Sequence, residues 1–118
     1  MIAFNRSRGN VLGERIAGAI TFLSRGRGLL GRPALEEGEG LWIAPCRIVH
    51  TFGMSFSIDV IFIDNEGRIL GLHPEMPQAR ITRYYRKAAG ALELPSGVIG
   101  RTGAAAGDIV ELTEVLQR

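Results

Sequence analysis

Apolar and polar residues alternate most regularly between residues 41 and 64, which we interpret as the centre of the fold. From Phe56 to Phe62 every second residue is apolar, as expected for a β-strand with one face in the core. The opposite face changes from serine and aspartate to isoleucine along the same stretch. This change predicts a strand over residues 56–64 with one end near water or a ligand, and Asp59 lies at the change.

Turn residues divide the rest of the chain into short strands. The segment Asp64-Asn65-Glu66-Gly67 has the composition of a type I turn with glycine in the left-handed position, so the strands on either side are expected to form a hairpin. The prolines of His73-Pro74-Glu75-Met76-Pro77 exclude that segment from a central strand. Further strands are predicted at residues 41–44, 69–72, 91–94 and 109–113.

The N-terminal region gives a weaker pattern. Residues 11–22 fit both a helical spacing and one strand face, and two glycines with the β-branched Thr21 favour a strand with frayed ends. Residues 1–10 have no sustained period and are predicted to form a loosely ordered lead-in to a single domain of residues 11–118. Many short strands separated by Gly and Pro turns predict a mainly β fold, a sandwich or partly open barrel with one or two short helices.

Composition and charge limit the classes of function. The chain has 118 residues, 46% hydrophobic and 22% charged, which fits one ordered domain. Basic residues predominate in residues 1–32 and acidic residues in 33–78; because the aromatics lie mostly in the acidic stretch, nucleic-acid binding is not favoured. No apolar run reaches the length of a membrane span, and the N-terminus lacks a secretory signal pattern, so we expect a cytoplasmic location.

A glycine-rich segment, Gly26-Arg27-Gly28-Leu29-Leu30-Gly31, formally matches the dinucleotide-binding fingerprint. A dinucleotide site needs a helix that continues from the glycines, and Pro33 follows almost at once. We therefore predict a short helical turn with buried leucines and no cofactor.

Several of these segments together resemble the family catalogued as domain of unknown function 192. The most specific part is His50-Thr51-x-x-Met54-x-Phe56-x-Ile58-Asp59-Val60-x-Phe62-Ile63-Asp64 followed by Gly67, within a resemblance over residues 11–113. The other matching segments are Gly28–Arg32, Leu92-Glu93-Leu94 with Gly97, and Gly107-Asp108. The resemblance implies a compact, mainly β fold with short helices, in cytoplasmic or exported versions, and it implies no activity.

Reactive side chains near the centre allow an enzyme hypothesis. Cys46 and His50 are candidates for nucleophile and base, with Asp59 to orient the imidazole. The alternative is that Cys46 is a small apolar residue and that His50 and Asp59 satisfy each other in a turn. A metal site from these residues and His73 is not favoured because the two histidines lack a ligand spacing, so we expect no metal.

The leading hypothesis is a module that binds a small molecule or a protein partner. Its site would combine polar groups, apolar surface and a cation for an anionic group, as small-ligand sites do. The candidate residues are His50, Thr51 and Asp59, then Trp42 and Met54, then Arg27 or Arg47. The alternative, that Trp42 and Met54 belong to the core and Asp59 is a structural carboxylate, stays open at this point. Glu93, between two leucines, is predicted to be a buried acid that an arginine could pair.

Overall fold

A computed structural model describes residues 1–19 and 32–114. In chain order the elements are β1 (Ile2–Asn5), β2 (Asn10–Gly13), β3 (Arg15–Ala19), β4 (Glu39–Ile43), β5 (Ile58–Asp64), β6 (Ile69–Met76), β7 (Ala88–Pro95), helix α1 (Val98–Thr102) and β8 (Val110–Thr113). The prediction of a mainly β fold is confirmed. The predicted helical turn at residues 26–32 lies outside the described residues except for Arg32.

The strands form two sheets. Within the described ranges, the smaller sheet has the order β2-β1-β8, and the larger has the order β3-β4-β7-β5-β6 with only β3 and β4 parallel. The edge strands β3 and β6 do not pair with each other, so the larger sheet is not closed into a barrel. Strands β5 and β7 lie inside it, which explains why both are almost entirely buried.

Each face of the larger sheet packs against a separate apolar cluster. One face meets the smaller sheet, where Ile61 and Leu92 contact a cluster that also contains Ala3 from β1. The other face is covered by irregular chain between β4 and β5 and between β6 and β7, which supplies Met54 and Tyr85 to the second cluster. Asp59 on β5 is fully buried, so the strand does not have the water-facing end that its sequence suggested.

The β5–β6 hairpin forms as predicted. Gly67 has a φ of 85° in the left-handed region, and its N–H donates to the Asp64 carbonyl at 3.1 Å. The Asp64 carboxylate closes the turn by accepting the N–H groups of Glu66 and Arg68, each at 2.9 Å. Strand β6 continues through Pro74 to Met76, which is possible because β6 lies at the edge of the sheet and Pro74 need not donate inward.

The first ten residues differ from the predicted loosely ordered lead-in. Ile2–Asn5 form the central strand of the smaller sheet, and the N-terminal ammonium donates to the Ile16 carbonyl at 2.8 Å. The strand is short, and its buried face carries Ala3 and Asn5 while the larger Phe4 is half-buried. A small and a polar residue on the core face give no apolar period, so the sequence pattern conceals this strand.

Candidate functional site

Asp59 binds backbone amides in the protein interior. Its Oδ1 accepts the N–H groups of Glu75 at 2.7 Å and Gly97 at 3.1 Å, and its Oδ2 accepts the N–H of Ile99 at 2.7 Å. Gly97 has no side chain to cap α1, so the carboxylate from β5 satisfies the amides at the start of that helix. These three bonds tie β5 to β6 and to α1.

Thr51 is equally buried and joins two loops. Its Oγ1 accepts the N–H of Arg80 at 3.0 Å and donates to the Pro77 carbonyl at 2.6 Å, while its own N–H donates to the Arg80 carbonyl at 2.8 Å. The hydroxyl thus uses both its donor and an acceptor site on backbone groups. Of the predicted polar site residues, Thr51 and Asp59 both use their side chains to bind backbone groups of other segments.

Residues 47–52 and 80–85 run antiparallel beside the larger sheet, and we call this pair the ribbon. His50 and Ile81 form a bridge pair in it, and the N–H groups of Thr82 and Tyr85 donate to the carbonyls of Val49 and Arg47 at 2.9 and 2.8 Å. Val49, Thr51, Thr82 and Tyr85 are buried on the inner side of the ribbon. The other residues form an outer face.

The outer face of the ribbon is apolar and exposed. Phe52 and Ile81 are 53% and 62% exposed, and Ile48 and Tyr84 are comparably open. His50 also lies on this face, where its Nδ1 accepts the Phe52 N–H at 3.2 Å and the two rings are 5.8 Å apart. Four of the five large apolar side chains that are exposed in the described residues therefore belong to the ribbon.

The predictions missed this face, although the amino-acid sequence contains a sign of it. Phe52 is the aromatic residue of the His50–Met54 motif, and Ile81 stands between Arg80 and Arg83. Residues 45–58 and 76–92 contain no acidic residue, so the ribbon is basic as well as apolar. Its arginines form no ion pair with any other described residue.

The remaining predicted site residues are dispersed. Met54 is in the core, Trp42 is half-buried against the cluster between the two sheets, and Arg27 lies outside the described residues. Cys46 is partly buried, and its Sγ donates to the Ile48 carbonyl at 3.2 Å. Asp59 accepts hydrogen bonds from backbone amides and His50 accepts one from the Phe52 amide, so the predicted bond between His50 and Asp59 does not form.

His73 bonds an aromatic stack under the ribbon. Its Nε2 lies 2.9 Å from the Tyr85 hydroxyl, and the Tyr85 ring stacks on Phe62 with centroids 4.2 Å apart. Partial burial, with the nearby charge of Arg83, lowers the pKa of His73, so the neutral imidazole is favoured. In the described part of the chain, no three His, Cys, Asp or Glu residues are grouped so that they could hold a metal ion.

Glu93 is a buried acid without the predicted arginine. It is 4% exposed on β7 between Leu41 of β4 and Val60 of β5, and its Oε1 has no hydrogen-bond partner among the described residues. Burial raises the pKa of Glu93 to about 7. The side chain therefore titrates near neutrality, unlike an exposed glutamate.

Basic residues surround a cavity at one end of the ribbon. The cavity has a volume of about 400 Å³ and lies between Arg47, the β5–β6 turn and the start of β7. Arg86 and Lys87 line it together with Arg47, which was one of the two arginines predicted to meet an anionic group.

No helix in the described part of the chain is both long and apolar enough to cross a membrane.

Comparisons with known proteins agree with the fold. A UPF0127 protein from Thermococcus sibiricus is 33% identical over 115 residues, which cover 91% of this chain and 71% of that protein. A crystal structure of a protein of unknown function from Novosphingobium aromaticivorans has a TM-score of 0.80 at 21% identity, covering 94% of this chain and 82% of that one. A proposed transcription regulator from Sinorhizobium meliloti has a TM-score of 0.79 at 22% identity, covering 93% and 89%. These two structural matches show a common fold.

The family comparison covers almost the whole chain. The model described as "Uncharacterized ACR" matches residues 3–112, which includes strand β1 as well as the segments that carried the resemblance. Together with the UPF0127 relative, this match shows that the protein belongs to the DUF192 family, a family of unknown function.

Proposed function

We propose that this protein is a protein-interaction module whose partner docks on the outer face of the ribbon. The observation that supports the proposal is the concentration of exposed apolar side chains there, on two segments without a single acidic residue. Exposed apolar groups that cluster on one face typically belong to an interaction site, whereas scattered ones are ordinary. The partner is expected to present an apolar contact surrounded by carboxylates, complementary to Arg80 and Arg83.

The buried motif residues support this use of the ribbon. Thr51 anchors the first segment to residues 77–80, at the start of the second, through five hydrogen bonds to Pro77, Ala79 and Arg80. Val49 donates its N–H to the Thr82 hydroxyl at 3.0 Å. A surface fixed in this way loses little conformational entropy on binding. The motif thus has a physical role in presenting Phe52 and Ile81 rather than in contacting a ligand itself.

The contacts of Cys46 and His50 favour a binding module over an enzyme that uses this pair. The Cys46 Sγ lies 3.2 Å from the Ile48 carbonyl oxygen, to which the thiol donates. The His50 Nδ1 accepts the backbone N–H of Phe52, so the lone pair of this ring nitrogen is already used.

The test uses acidic and basic probe peptides and a matched pair of variants. The probe is a labelled peptide of alternating Glu and Leu, and its control has Lys in place of Glu. In the double variant Phe52→Ser, Ile81→Ser the ribbon loses two apolar side chains, each about half exposed; Val11→Ser removes a side chain of similar exposure, 48%, from β2. Burying the exposed half of such a side chain contributes about 1 kcal/mol, so the double variant should bind about thirtyfold more weakly.

The measurement is fluorescence anisotropy, with circular dichroism to verify the fold of each variant. Saturable binding of the Glu peptide, weakened only in the double variant, supports the proposal. Absence of binding, equal binding of the Lys peptide, or an undiminished affinity in the double variant overturns it. Self-association that the double variant abolishes, measured by sedimentation, also overturns it because the occupant would then be a second copy of the chain.

A further inference from the structure

Three cations face the cavity at the Arg47 end of the ribbon. Arg47, Arg86 and Lys87 line it, and none of them forms an ion pair with another described residue. Asp64 and Glu66 also line the cavity, but neither of them forms a salt bridge with any of the three cations. A bound anion would relieve the mutual repulsion and satisfy the donors.

The two acids of the cavity wall leave room for such an anion. The Asp64 Oδ1 is already bonded to two N–H groups of the β5–β6 turn, at 2.9 Å each. Glu66 is an exposed residue of the same turn, and its carboxylate lies more than 4 Å from every cationic nitrogen of the wall because it forms no salt bridge.

A second cavity extends the site past the same cations. It has a volume of about 270 Å³, and it shares Arg86 and Lys87 with the first while adding Leu70, Tyr85 and Arg83. The Arg83 guanidinium lies 4.3 Å from the centre of the Tyr85 ring, so this side combines charge with apolar surface. A ligand that spans both spaces would carry an anionic group at one end and an apolar body at the other.

We propose that these two cavities, which share Arg86 and Lys87 in their walls, together bind a small molecule that carries a phosphate group on an apolar or aromatic body. The phosphate would lie among Arg47, Arg86 and Lys87, because a dianionic group with several acceptor oxygens suits two guanidinium groups and an ammonium. The body would pass over Arg86 and Lys87 toward Leu70 and Tyr85. Both volumes are within or near the range of small-ligand pockets. This site uses none of the exposed apolar residues of the ribbon, although Arg83 borders both surfaces.

The probe is 1-naphthyl phosphate, compared with inorganic phosphate and 1-naphthol at constant ionic strength. Binding is measured by calorimetry on the whole chain. We expect naphthyl phosphate to bind more tightly than inorganic phosphate, and naphthol not to bind. Arg86→Gln should weaken naphthyl phosphate about tenfold, the usual effect of losing one charge-assisted contact.

Arg68→Gln is the matched control, because Arg68 is also exposed and without an ion pair but does not line either cavity. Equal losses in the two variants would mean a general effect of net charge and overturn the site. Undiminished binding in Arg86→Gln, or binding of naphthol as tight as that of its phosphate, also overturns it. The variant Phe52→Ser, Ile81→Ser should bind naphthyl phosphate normally, so failure of the ribbon proposal and failure of this one are distinguishable.

Discussion

Glu93 offers the sharpest test of how this core is built. The side chain stands on β7 inside the larger sheet, 4% exposed, with Oε1 lacking a partner among the described residues. Its burial removes water from the carboxylate and raises its pKa from 4.5 to about 7. The folded protein therefore holds a proton on Glu93 under conditions where the unfolded chain has released it.

The consequence for stability follows from proton linkage. Between the two pKa values the native state binds more protons than the unfolded state, so the free energy of unfolding decreases as pH rises. With pKa values of 4.5 unfolded and about 7 folded, the loss between about pH 5 and about pH 8 is on the order of 2 to 3 kcal/mol. Glu93→Gln cannot ionise and should escape this loss.

The assay is urea denaturation of wild type and Glu93→Gln at several pH values in that range. The quantity to compare is the difference in unfolding free energy between the two proteins, because titrations that both share, such as that of His73, cancel. We expect the stability of the variant relative to wild type to rise by roughly 2 to 3 kcal/mol from about pH 5 to about pH 8, because the cost of its buried amide does not change with pH. Glu66→Gln, an exposed residue in the hairpin turn, should show no such trend. A difference for Glu93→Gln that stays constant across the range would falsify the reasoning.

Three further predictions concern the groups that hold the fold. Asp59→Ala leaves three buried N–H groups without an acceptor and should lower the unfolding free energy by about 3 kcal/mol in urea denaturation; a loss below about 1 kcal/mol would contradict its role. Gly67→Ala should lower the unfolding free energy by about 1 kcal/mol or more beyond the effect of Gly107→Ala, as measured by thermal unfolding. Both glycines have a positive φ, but only at Gly67 would the new Cβ meet a backbone oxygen, at 2.5 Å. Equal losses of stability in the two variants would refute the contact. At Asp108, burial opposes ionisation, but hydrogen bonds from Asn5, Arg8 and Ala105 prevail and lower the pKa. Its contribution is therefore present above the ordinary value of 3.8 and lost as pH falls through the folded pKa, so Asp108→Asn should destabilise at neutral pH and cease to do so in strong acid, as followed by circular dichroism.

The strand and the turn at the centre of the chain could be predicted from the amino-acid sequence. The alternation of Ile58, Val60 and Phe62 requires a strand, and Gly67 after Asp64 requires a tight turn, because both depend on backbone sterics and nearest neighbours. The family resemblance had the same source, a run of residues from His50 to Gly67. The first strand was hidden because its inward residues are small or polar.

The roles of the polar residues could not be read in the same way. Asp59 and Thr51 were predicted as ligand contacts since both are polar and central, yet the structure bonds Asp59 to amides 16 to 40 positions away and Thr51 to groups near Arg80. Such bonds depend on which loops the fold brings against which strand. A sequence pattern does not show which residues distant along the chain come close in space.

The sequence by itself determined the strand content, the hairpin and the family, because these follow from side-chain periodicity and turn chemistry along the chain. The tertiary structure alone decided that two loops pair into the ribbon, that Phe52 and Ile81 meet on its outer face, and that Arg47 comes beside Arg86 and Lys87. The physical reason is that burial and charge density are properties of a surface, and this surface is assembled from segments that lie far apart in the sequence, 29 positions in the case of Phe52 and Ile81.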